Sequence, residues 1–139
     1  MIGAVNRDGQ QGAVAGYTAA ALTRTLADSM NQKERIKEIL ETYQKHGWRL
    51  RRLLLRPETS AEVDVQDPEL AAAEIKPSEV DAVWFSRASH AGREAWELRL
   101  ISETQYALFE TFEADEAEED REEVRMEMEA KMRQMMNAD

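Results

Sequence analysis

The chain contains no cysteine. That excludes a disulfide scaffold, a thiol nucleophile and a thiolate zinc site. Its two histidines, His46 and His90, show no ligand spacing, so no metal and no cofactor are expected. Proline is scarce, and Pro57, Pro68 and Pro77 all fall in one stretch. No apolar run is long enough to span a membrane, and no membrane contact is expected. Bases are in deficit, 18 against 28 acids, which gives a formal charge of −10. Such acidity argues against general nucleic-acid affinity, which needs a positive contact face.

What is present is a 139-residue chain, 42% hydrophobic and 33% charged. That length suits one domain with a sizeable core and a charged surface, needing no covalent staple. The charge is uneven. Residues 1–29 are neutral, while 30–56 carry eight bases and three acids. Residues 57–112 carry four bases and twelve acids, and 113–139 carry four bases and eleven acids. The basic stretch either meets an anionic partner or pairs with the acidic end of its own or another copy; the second is favoured, because the neutralising charge is already in the chain.

Residues 1–29 are rich in Gly and Ala and read as a disordered or weakly helical extension, helical at most over 17–27. The spacing of Gly9, Gly12 and Gly16 lacks the preceding strand and the Gly-Lys-Ser/Thr ending of a phosphate loop. The weak apolar stretch 13–22 does not make a secretory signal. Met30 directly precedes the strongly patterned part and is a candidate translation start.

From residue 30 onward the pattern predicts a single α+β domain. Asn31 is placed as an N-cap, Ile36, Ile39, Leu40 and Tyr43 recur at helical spacing, and Gly47 is placed to end the helix. Residues 48–56 read as a strand, with Trp48, Leu50, Arg52 and Leu54 on one face and Arg49, Arg51, Leu53 and Leu55 on the other. The proline-bearing stretch 57–78 reads as an acidic connection. Strands are expected at 82–88, 95–102 and 106–112, joined by short hairpins, and an acidic helix at 113–137. The expected architecture is a four-stranded antiparallel sheet with an N-terminal and a C-terminal helix packed on one face.

Three groups of residues are candidates for function. The first is a protein-interaction set: Trp84 and Phe109 on the sheet, with Met132, Met135 and Met136 on the last helix, since methionine suits adaptable contact surfaces. The second is an anion-binding set, Arg49, Arg51, Arg52 and Arg56 beside Trp48. The third is the loop carrying His90 and Arg93. No nucleophile, base and oxyanion donor stand in a telling arrangement, so no catalytic residue is assigned. The reading favours a small acidic cytoplasmic binding or adaptor protein that self-associates or meets a protein partner. Nucleic-acid recognition through the arginines, or a small-molecule site at His90, are the alternatives.

Overall fold

The computed structural model describes residues 32–64 and 66–137. The expectations for the N-terminal extension, its glycines, Met30 and the Asn31 cap lie outside the described residues. Helix α1, Gln32–Lys45, buries Ile36, Ile39 and Leu40 along one stripe. It stops at Gly47, whose φ of +88° is costly for a residue with a side chain. There the Gly47 N–H donates to the Gln44 carbonyl and the Trp48 N–H to the Tyr43 carbonyl, closing a Schellman motif.

Five strands form one mixed sheet. They are β1 Arg49–Leu55, β2 Glu74–Pro77, β3 Ala82–Ala88, β4 Glu94–Leu100 and β5 Ala107–Phe112. The order is β2-β1-β3-β4-β5. β2 runs parallel to β1, and the other pairs are antiparallel. The fifth strand corrects the expected four. It lies inside the supposed acidic connection, which also holds a helical turn, α2 (Pro57–Ser60), and a 3-10 turn at Pro68–Leu70. Parallel pairing requires a crossover, and this segment supplies it.

A second correction concerns the helices. α1 and the crossover cover the front face, where Ile36, Leu40 and Leu70 pack on Leu50, Leu53, Leu55, Val83 and Phe85. The C-terminal helix α3, Glu118–Asn137, covers the rear face, where Met128 and Met132 share a core with Leu54, Trp84, Trp96, Leu98 and Phe112. Helices therefore lie on both faces of the sheet. A bulge in β1 sets which residues face which helix. Leu50 pairs with Phe85 and Arg52 with the adjacent Trp84, so Arg51 is one residue too many. The alternation slips there. Leu50, Leu53 and Leu55 face α1, whereas Arg51, Arg52 and Leu54 face α3.

Asp81, buried just before β3, ties the ends of these elements together. Its carboxylate accepts from Gln32 Nε2 at 3.0 Å, the Arg56 backbone N–H at 2.7 Å and Thr59 Oγ1 at 2.5 Å. The Arg56 guanidinium adds a contact at 3.3 Å. A buried carboxylate is tolerable only when it is compensated in this way.

Deleting Arg51 leaves Leu50, Arg52 and Leu53 in unbroken alternation. The shortened chain is expected to keep its far-UV dichroism and to lose about 1–2 kcal/mol in urea unfolding, through lost cation–π and hydrogen-bond contacts. A chain that no longer folds would show that the bulge itself is indispensable.

Candidate functional site

The anion-binding set is dispersed by the fold. Arg52 donates to Glu122 of α3 at 2.6 Å and pairs with Glu74 of β2 at 3.1 Å. Arg51 donates to Ser86 at 3.0 Å and lies 4.7 Å from the centre of the Trp96 ring. Arg56 is engaged by Asp81, and Arg49 is exposed. Arg125 joins from α3. It is 1% exposed, sits 4.3 Å over Trp96 and donates to Glu118 and Glu122. The arginines thus neutralise the chain's own acids. Burial would lower the Arg52 pKa, but its hydrogen bond to Glu122 and the charges of Glu122, Glu74 and Glu129 raise it. Burial would likewise raise Glu122, yet hydrogen bonds from Arg52 and Arg125 hold it below the usual carboxylate range.

The interaction set is also divided. Trp84 is fully enclosed under α3 and donates through Nε1 to Glu129 at 2.8 Å. Met132 is fully buried, and Met135 packs on the same core. Trp84 and Met132 therefore offer no surface to a partner, because the rear face needs them to close. Met136 remains 41% exposed and lines a cleft of about 520 Å³ at the Asp81 end of the sheet. Phe109 is 50% exposed on the front face of β5.

His90 and Arg93 occupy the turn between β3 and β4, where Ala91 and Gly92 both have positive φ. Arg93 pairs with Glu113 at 3.0 Å and lies 3.2 Å from His90 Nε2. Neither residue lines the Asp81-end cleft or the front groove.

That front groove, of about 570 Å³, runs between α1 and β4. Glu38, Thr42 and Tyr43 come from α1, His46 and Trp48 from the segment that follows it, and Glu97 and Arg99 from β4. Tyr43 stacks on Phe85 with centroids 4.1 Å apart, and its hydroxyl donates to Glu97. Arg87 lies 4.4 Å over Trp48 and caps α1 through the His46 carbonyl at 2.9 Å. Trp48 in turn meets Phe109 edge-on at 6.5 Å. The chain matches no family model, no curated protein and no solved structure.

Among the described residues, no helix covers the front face at Phe109, because α1 packs over β1 and β3. Leu50, Phe85, Glu97 and Phe109 lie side by side across four strands. α1 buries the first two, Tyr43 engages the third, and Phe109 stays half in solvent. Phe109 is a candidate from the sequence alone, whereas the Tyr43–Glu97 pair joins residues far apart in the chain and is not. The alternation of Trp96 to Ile101 already put Glu97 opposite the tryptophan, and that was the one available signal.

Burial, then the hydrogen bond to Glu97 and the charge of that carboxylate, push the Tyr43 phenol up from its ordinary value. The folded state therefore holds this proton more tightly than the unfolded state. The resulting stabilisation is complete below about pH 10 and is lost as pH rises beyond it. Tyr43→Phe is expected to reduce the drop in unfolding free energy between about pH 8 and about pH 11, measured by urea titration. An equal drop in both proteins would show that the phenol is not involved.

Proposed function

We propose that this chain is a small acidic binding or adaptor protein that acts through protein contacts and associates with itself. The observation that carries this reading is Phe109, a large apolar side chain half in solvent on an edge strand, braced by Trp48 and not covered by α1. Aromatic side chains, phenylalanine among them, are enriched at protein interfaces relative to the rest of the surface. The reading gains support from the charged groups that could have served other roles. Asp81, Glu97, Arg52 and Arg93 are all engaged by neighbours within the chain. Engagement of Arg51, Arg52 and Arg56 counts against a phosphate-binding surface on β1. Among the described residues, no helix is long and apolar enough to cross a membrane. The cytoplasm is the proposed setting, since a domain of this size folds without disulfides and has none to form.

Light scattering on the full chain is expected to give a concentration-dependent mass above that of one copy. Phe109→Ser is expected to lower the association constant at least about tenfold, the loss of a central aromatic contact, while shifting stability by less than about 1 kcal/mol. A wild-type protein that stays at the mass of one chain throughout would overturn the self-association.

A further inference from the structure

The two edges of the sheet are built differently. β2 has four residues, and Glu74, Lys76 and Pro77 are three of them. Short length, charge and proline are the usual means of blocking an edge from pairing. β5 has six residues, Ala-Leu-Phe-Glu-Thr-Phe, with one charge, no proline and no lysine. Its register against β4 runs without a shift. Among the described residues it pairs with β4 alone.

The backbone groups at that edge can be assigned. Leu100 N–H donates to the Tyr106 carbonyl at 2.9 Å, so residue 106 directs its backbone polar groups toward β4. Hydrogen-bonded and non-bonded pairs alternate in an antiparallel ladder. In the register Leu98 to Leu108 and Trp96 to Glu110, residues 108 and 110 therefore also point inward. Ala107, Phe109 and Thr111 present their N–H and C=O groups at the open edge.

We infer that a second copy of this chain adds to β5, antiparallel and two-fold symmetric, with Phe109 opposite Phe109 of the partner subunit, making one continuous sheet across the dimer. The inference rests on the self-association proposed above. This register is the one in which all three outward residues find outward partners. Phe109 meets its own counterpart, and Ala107 meets Thr111 of the partner subunit on both sides of the axis. Three such pairs, each exchanging two bonds, give about six new N–H···O bonds. A two-fold axis normal to the sheet keeps the front faces together, so the Trp48–Phe109 contact of each copy joins into one aromatic row. Sliding the copies along by one pleat repeat in one direction sets Glu110 directly against Glu110 of the partner subunit, a repulsive cross-strand pair. Sliding in the other direction leaves the outward groups of Thr111 without a strand partner.

The chain has no cysteine, so a designed disulfide reports on one contact only. Ala107→Cys and Thr111→Cys would be made separately in the full chain, then mixed under mild oxidation. In the inferred register these positions lie about 5.5 Å apart between Cα atoms, within disulfide range. Like positions lie about 15 Å apart, well beyond it. The mixture is expected to give at least about tenfold more cross-linked species than either variant alone. Thr111→Pro removes an outward N–H and leaves the β4 bonds intact. It is expected to give the mass of one chain with unchanged far-UV dichroism. A dimer by light scattering that shows no preference for the mixed pair, or that survives Thr111→Pro, would overturn the edge register and leave self-association standing. A wild-type chain that stays monomeric would overturn both.

Discussion

β1 carries one more residue than its pairing with β3 can use, and the rest of the architecture follows from where that residue sits. A strand of strict alternation would send Arg51 to the α1 side with Leu53 and Leu55. The bulge instead turns two successive arginines to the rear and three leucines to the front. The front leucines give α1 an apolar bed, each worth about 1.5–3 kcal/mol when fully buried. Of the rear arginines, Arg52 gives α3 something an acidic helix needs more than leucine, namely a positive counterpart.

That counterpart explains how a segment with eleven acids and four bases can pack on a sheet at all. The first turn of α3 holds Glu118, Glu119 and Asp120, which suit the positive end of the helix dipole but repel one another. Arg52 reaches Glu122 from below, and Arg125 reaches back to Glu118 and Glu122 along the helix. Trp96 lies beneath both Arg51 and Arg125, so the buried cation rests on an aromatic face as well as on carboxylates. Such a buried network is weak evidence for net stability, because desolvation offsets much of the attraction. Its stronger effect is on placement. An α3 rotated or shifted by a turn would take Glu122 away from Arg52 and lift Arg125 off Trp96.

The periodic elements were legible in the sequence because local pattern determines them. Ile36, Ile39 and Leu40 mark α1, Gly47 marks its end, and 82–88 coincides with β3. What was missed depends on contacts between distant residues. β2 contains a single large apolar residue, Ile75, and is a strand only because β1 offers it a parallel edge. The Arg51-Arg52 doublet reads equally well as alternation or as a bulge until Trp84 and Phe85 are placed beside it. The placement of both helices on one face failed for a reason the sequence did contain. Leu53, Leu54 and Leu55, and Val83, Trp84 and Phe85, are apolar on both sides, as strands covered on both faces are. The same feature put Trp84 in the wrong role, since a tryptophan on an apolar rear face is core once a helix lies over it.

Phe109 is the residue whose side chain this economy of coverage leaves over. α1 is 14 residues long and seats over β1 and β3, the strands to which Ile36, Ile39 and Leu40 fit. It cannot also span β4 and β5, and the sequence responds on β4 by placing Glu97 and Arg99 on that side, where solvent is tolerable. On β5 it does not respond in kind. Thr111 and Ala107 are neutral, and Phe109 is as apolar as any core residue. An edge strand under pressure only to stay soluble would carry the charges and proline that β2 carries. The contrast between two edges of one sheet, one blocked and one that pairs with β4 alone among the described residues, is the physical basis for proposing contacts at β5 rather than on the methionine seam or the arginines.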